Sequence, residues 1–282
     1  VTLGDHPHNG ELSRRGRRGD AGGLRPLFSF YGAKWRLAPK YPPPRFPSIV
    51  EPFAGSAGYS CRYHTADVTL VERDPIIAGV WRFLVGSTAS DIRALPLLDD
   101  GADAADLPVC QEARWLIGFW LNKATSAPRR HLSKWGRYPG KRDDFWGEAV
   151  RERIASTVHL VAHWRVIEGD YTAAPNKPAT WFIDPPYVGN ACASKWTGDG
   201  PDVTVPVGDR YRFGTRRVDF DALSSWCRTR RGQAVVCENV GATWLPFRPF
   251  FDAKAARGTS REAVWLSDER GQTTLPLATK TA

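Results

Sequence analysis

The tetrapeptide Asp184-Pro185-Pro186-Tyr187 ends an apolar run with a carboxylate, two carbonyls on rigid residues and an aromatic ring. Two consecutive prolines stop a strand or helix there, because each locks φ and lacks an N–H donor. That combination suits one chemical task, the activation of an exocyclic amine on a nucleobase. Such an amine is a poor nucleophile, since its lone pair is delocalised into the ring. Two acceptors aimed at its two hydrogens favour a tetrahedral nitrogen with a localised lone pair. They help only if they fit the transition state better than the ground state. The Asp184 carboxylate and the Pro185 carbonyl are the natural acceptors, with Pro185 and Pro186 fixing their angles. Tyr187 can stack on a base extruded from the duplex. The plain alternative is a Pro-Pro turn with a capping aspartate and a packing tyrosine.

Two more strand tips carry residues of the same kind. "VEPFAGSAG" runs from a strand into a turn where Gly55 and Gly58 let backbone approach a ligand without interference from Cβ. Glu51 and Phe53 flank it. "VERD" ends a second strand, and Glu72 lies 17 residues past Gly55. That is close to the spacing at which an acid accepts hydrogen bonds from a ribose diol, so the pair predicts an adenosine-containing cofactor. No GxxxxGK[ST] is present, which disfavours a phosphate-cradling nucleotide site.

The elements that must position these tips follow from periodicity. "PSIVEPF", "VTLVERD", "TWFIDPPY" and "QAVVCEN" read as strands, and "IIAGVWRFLVG" and "VDFDALSSWCRTRRG" as helices, with a helix start in "AGYSCRYHTA". The alternation predicts an α/β fold with a Rossmann-like, doubly wound, mainly parallel sheet. "FRPFFDAKAARGTSREAVWLSD" predicts an antiparallel hairpin at one edge. Residues 85–165 break the alternation and read as an inserted, mostly helical target-recognition subdomain. The catalytic domain then comprises 26–84 and 166–282. Residues 1–25, rich in Gly and Arg, read as a disordered tail. Residues 193–217 read as a mobile loop closing over the site, with Tyr211 either part of it or ordinary surface.

The 282 residues carry a net charge of +9, which suits an anionic partner. Residues 123–142 hold seven Lys or Arg and no acid, interleaved with Trp135 and Tyr138. Cations beside exposed rings favour nucleic acid. Lys123, Arg129, Arg130, Lys134, Arg137 and Tyr138 are the candidate contacts. Five scattered cysteines without a CxxC pair predict reduced thiols and no metal site. No apolar run reaches the roughly 20 residues that span a bilayer, and the N-terminus has no apolar leader core, so a cytoplasmic protein without membrane contact is expected.

In ordered blocks across about 30–245, the sequence resembles the Dam-type adenine-N6 DNA methyltransferases, which use S-adenosylmethionine. "FSFYGAKWRL" is similar to the family's N-terminal block. The resemblance implies that Phe30, Tyr31, Gly32 and Lys34 border the cofactor, with Lys34 near the catalytic loop. "VEPFAGSAG" resembles the cofactor glycine loop. "VERDP" stands where the family has Asp-x-Asn-Pro, so Glu72 becomes the ribose acid and Asp74 replaces the asparagine. "IEGDYTAA" implies that Asp170 approaches the cofactor's adenine, and "FIDPPY" matches the catalytic tetrapeptide unchanged. The implied activity is methyl transfer to N6 of adenine in double-stranded DNA, by base flipping and direct attack. Cytosine-N4 or RNA methylation stays open, as does an inactive DNA-binding relative. A cognate restriction enzyme and a phage origin are compatible with the resemblance. A monomer or weak dimer is the expected state.

Overall fold

Strands that read as unbroken apolar runs must be covered on both faces. In the computed structural model, which describes 23–267 except 124, 139–143, 189–191, 196–202, 207–209 and 256–257, they build one seven-stranded sheet. Five strands are parallel: β1 (Ser48–Glu51), β2 (Asp67–Glu72), β3 (Arg165–Glu168), β4 (Ala179–Ile183) and β7 (Gly232–Asn239). The chain closes with β8 (Arg248–Ala255) and β9 (Gly258–Leu266), paired antiparallel at the edge. The order is β3-β2-β1-β4-β7-β9-β8, so β9 runs against both of its neighbours. A separate antiparallel pair joins β5 (Cys192–Lys195) to β6 (Val203–Pro206). The sheet is Rossmann-like, and the edge hairpin falls where the sequence puts it.

The period of two along each strand sorts the core into two layers. On one face Ile49, Val68, Leu70, Phe182 and Val235 meet α1 (Gly58–Arg62), α2 (Pro75–Gly86), α4 (Gln111–Trp120) and α5 (Glu148–Thr157). On the other, Val50, Val71, Trp181, Ile183 and Val236 meet α6 (Phe220–Arg228) through Leu223, Cys227 and Trp226. Caps set the helix starts. Asp74 accepts from the Ile76 N–H with Pro75 at the first helical position, and Asp219 accepts from Asp221 and Ala222.

Residues 85–165 are mostly helical, with α3 (Ala89–Arg93) between α2 and α4. Ile92, Leu116, Phe119, Val150 and Ile154 belong to the same apolar cluster as Phe28, Val68 and Leu70. These helices therefore form a layer on the sheet and share its core. Order also begins earlier than the sequence suggests. Leu24 is buried, its N–H donates to the Cys61 carbonyl at 3.0 Å, and its carbonyl accepts from the Trp35 indole at 2.7 Å. Residues 1–22 of the expected tail lie outside the described residues. Among the described residues no helix is long and apolar enough to cross a membrane.

Candidate active site

After β1 the chain builds the sheet to one side through β2 and β3, then returns to add β4 and β7 on the other. The point where the order reverses leaves a crevice at the carboxyl ends of β1 and β4, where open α/β sheets bind ligands. The Gly55 turn follows β1 and Asp184 follows β4, so adjacent parallel strands deliver both to one place. A single cavity there is lined by Phe30, Tyr31, Gly32, Lys34, Glu51, Phe53, Gly55, Glu72, Asp170 and Asp184. These are all ten of the residues picked as cofactor contacts from the sequence.

The glycine turn is built for close approach. Gly55 sits at φ +47°, in the left-handed region that favours glycine, and the Phe30 ring lies 3.1 Å from where its Cβ would be. A Cβ on Gly58 would stand 2.5 Å from the Trp35 backbone nitrogen, so this glycine seats the N-terminal block against the turn. The Ala54 N–H donates to the Val71 carbonyl at 3.2 Å, and the Trp81 indole to the Gly55 carbonyl at 2.7 Å. The first bond ties the turn to β2 and the second to α2.

Lys34 and Asp184 form a buried ion pair beneath it. Their side chains are 9 % and 18 % exposed, and the Lys34 ammonium lies 2.9 Å from Oδ2 and 2.8 Å from Oδ1. It donates its hydrogen bond to Oδ2, whereas the buried Oδ1 has no hydrogen bond of its own. Burial pushes the Asp184 carboxyl above the usual carboxylate range, and Lys34 opposes that shift. For Lys34 burial favours the neutral amine, but the negative charges of Asp184 and Glu262 outweigh it and keep the ammonium protonated.

Tyr187 does not present a bare ring, contrary to the expectation of a stacking platform. It is only 8 % exposed, its hydroxyl donates to Glu262 at 2.8 Å, and the Lys34 ammonium sits 4.6 Å from its ring centre. Of the tetrapeptide, Asp184 and Pro186 line the cavity, while Pro185 and Tyr187 lie behind them. The physical reason is the two buried carboxylates beyond β4. Glu262 takes the phenol, and Glu238, fully buried on β7, accepts the Val188 N–H at 3.1 Å and the Trp244 indole at 3.0 Å. Glu238 thus fixes the residue after the tetrapeptide.

Three more acids shape the cavity. Glu72 accepts the Gly55 and Asp74 N–H groups at 2.9 Å each, and burial raises its pKa to about 7 against those bonds. Glu51 accepts the Ser60 N–H at 2.6 Å and is pushed up to about 8, again mainly by burial. Asp170 caps a short turn, lies 3.5 Å from Arg73, and stands next to Tyr171, whose ring stacks on Phe53 at 5.6 Å.

The segment 210–218, most of which the sequence assigned to a loop closing over the site, forms one wall of the cavity. Tyr211 packs on Phe30 and Tyr31, with ring centres 6.0 and 5.7 Å away, so it is not ordinary surface. Phe213 is surrounded by Arg73, Arg212 and Arg217 at 5.3, 5.7 and 5.6 Å. Arg212 also lies 3.5 Å from Asp74, and Ser126 ties the wall to the helical layer by donating to the Arg210 carbonyl at 2.8 Å. The only signal in the sequence is alternation of arginine with aromatics in "RYRFGTRR". Parts of the expected mobile loop, 196–202 and 207–209, lie outside the described residues.

The basic candidates lie elsewhere, on the helical layer. Trp135 and Tyr138 are 63 % and 50 % exposed and pack together at 5.6 Å. Three of the five charged residues named from the sequence meet local acids. Lys123 pairs with Asp144 at 2.6 Å, Arg137 with Asp100 at 3.1 Å, and Arg130 with Asp103 through two nitrogens. For Arg129 and Lys134 no ion pair falls among the described residues. The run without acids in the sequence is therefore partly neutralised in space.

No protein-family model matches this chain, and no curated protein is significantly similar to it. The site must be read from its own chemistry. An adenosine with a ribose diol would meet the carboxylate of Glu72 and the ring pair of Phe53 and Tyr171 beside Asp170. A planar amine would meet an acceptor in the Asp184 carboxylate at the adjacent strand tip. Among the described residues no cluster of His, Cys, Asp and Glu is set to hold a metal ion.

Proposed function

We propose that this chain transfers a methyl group from S-adenosylmethionine to the N6 amine of adenine in double-stranded DNA. The observation that carries the reading is the meeting of the Gly55 turn and Asp184 in one cavity at the switch point, with Asp184 held by a buried lysine. The residues present fit the cofactor. Glu72 would take the ribose hydroxyls, Phe53 and Tyr171 the adenine with Asp170 at its edge, and Phe30 the flank of the glycine turn. S-adenosylmethionine supplies a methyl group made electrophilic by its sulfonium.

The chain's own residues would do the rest. The Asp184 carboxylate, which lines the cavity, accepts an N–H of the target amine, whereas Pro185, whose carbonyl the sequence offered as the second acceptor, does not line it. Lys34, 2.9 and 2.8 Å from its two oxygens, holds that carboxylate in place and favours its ionised form. Because burial raises the Asp184 pKa, the carboxylate is also able to take up the proton the nitrogen must lose. The extruded base lies against Pro186 and the outer edge of Tyr187, since Lys34 covers part of that ring. Arg129, Lys134 and the Trp135–Tyr138 pair grip the duplex. The setting would be the cytoplasm, where its cysteines stay reduced.

Expression in a host without its own adenine methylation, followed by mass analysis of nucleosides and sequencing of methylated DNA, tests this. N6-methyladenine at a fixed sequence is the expected result. Methylcytosine alone would move the reading to cytosine-N4 transfer, and methylated RNA alone to an RNA enzyme. DNA binding with no transfer would leave a DNA-binding relative without activity.

A further inference from the structure

Strand β9, paired between β7 and β8, brings an acid to the site that the sequence gave no reason to place there. Glu262 is only 4 % exposed. Its register partner on β7 is Asn239, the last residue of that strand, so the antiparallel direction puts the first half of β9 at the carboxyl ends of the parallel strands. Its carboxylate accepts three hydrogen bonds there. Oε2 takes the hydroxyls of Tyr187 at 2.8 Å and Tyr41 at 3.1 Å, and Oε1 takes the Ser260 hydroxyl at 2.7 Å. The groups that face it are Tyr41 after the first 3-10 turn, Tyr187 after β4, Cys237 on β7, and the Lys34–Asp184 pair. A buried carboxylate with three donors is costly to assemble unless its charge is also balanced, and Lys34 is the nearby cation that balances it.

We propose that Glu262 is a positioning residue of this site: it fixes the Tyr187 hydroxyl, which holds the tetrapeptide against the sheet, and adds its negative charge to the surroundings of the Lys34–Asp184 pair. Without Glu262 Tyr187 would lose the bond that keeps the tetrapeptide against the sheet, and Lys34 would lose part of the negative charge that favours its ammonium form. The inference rests on the methyl-transfer reading for its effect on rate, though its effect on Lys34 does not.

The test is Glu262→Gln in the full chain, which keeps size and an acceptor but removes the charge. Methyl transfer to DNA should show kcat reduced roughly tenfold to a hundredfold, as for loss of a hydrogen bond to a charged group. KM for S-adenosylmethionine should stay as in the wild type. Independently, NMR titration of the Lys34 ammonium should show deprotonation at lower pH in the variant, whether or not methyl transfer is seen. Tyr187→Phe, which removes only the hydroxyl, should lower kcat in the same way and keeps the test open if the first variant fails to fold. The two changes together should cost less than the product of their separate losses, because they act on one contact. Wild-type kcat and an unmoved Lys34 titration, or fully multiplicative losses, would overturn the proposal. A wild-type chain that methylates no nucleic acid would instead sink the methyl-transfer reading, and the Lys34 titration would still decide the role of Glu262.

Discussion

At the scale of single residues, the site is a set of buried charges whose balance can be measured. Asp184→Asn keeps shape but replaces an anionic acceptor with a neutral amide, and should lower kcat by about a hundredfold or more while DNA binding persists. A near-normal rate would mean that the amine is activated by something else. Asp184→Ala adds a second effect, because it leaves the Lys34 ammonium buried without its partner. Stranding a buried charge costs about 3–5 kcal/mol, so this variant should also unfold at clearly lower denaturant than the Asn variant. Glu51 gives a pH dependence of known sign. Its folded pKa stands near 8, above the ordinary carboxylate value, so its contribution to stability is complete below that ordinary value and is lost as pH rises through about 8. Glu51→Gln cannot ionise. Denaturant midpoints of wild type and variant should therefore diverge between about pH 5 and 9, with the wild type losing up to about 1.4 kcal/mol per pH unit relative to the variant. Parallel curves would mean that Glu51 is solvated.

At the scale of elements, the turn after β1 works because two backbones touch. Gly58→Ala would drive a methyl group to within 2.5 Å of the Trp35 backbone nitrogen, and backbone cannot rotate aside as a side chain can. A loss of about 1–3 kcal/mol in unfolding free energy is expected, with weaker binding of S-adenosylmethionine in calorimetry, because Phe30 and Lys34 ride on the displaced segment. An unchanged midpoint and affinity would show that the N-terminal block can shift freely. Much of this was legible. The strand tips at Glu51, Glu72 and Ile183, the helix over 76–86 and the edge hairpin all follow from local pattern, since periodicity and proline act within a few residues. The short strand β3 was not read as a strand. Its four residues, Arg165–Glu168, alternate too little to signal, and they are strand only because β2 offers them a partner.

At the scale of the whole molecule, affinity for DNA should depend on which cations are free of acids. Replacing Arg129 and Lys134 together by Gln should reduce the slope of log affinity against log salt by about 2, at roughly 0.9 per phosphate contact. Asp103→Asn frees Arg130 and should steepen that slope if Arg130 reaches phosphate. Fluorescence anisotropy across a salt series would measure both, and an indifferent slope in the first variant would remove this face from the duplex.

The sequence by itself determined the chemistry on offer: the Asp-Pro-Pro-Tyr tip, the glycine turn with an acid 17 residues on, and the alternation that makes a doubly wound sheet. Those are short-range facts, set by proline geometry, glycine freedom and the period of apolar residues. Tertiary structure alone decided that Tyr187 turns its hydroxyl to Glu262 and that Arg130 is tied to Asp103. It also decided that the first half of β9 reaches the site. Each depends on residues far apart in the chain meeting through strand order and direction, and local pattern carries no record of which distant partner will satisfy a buried or charged group.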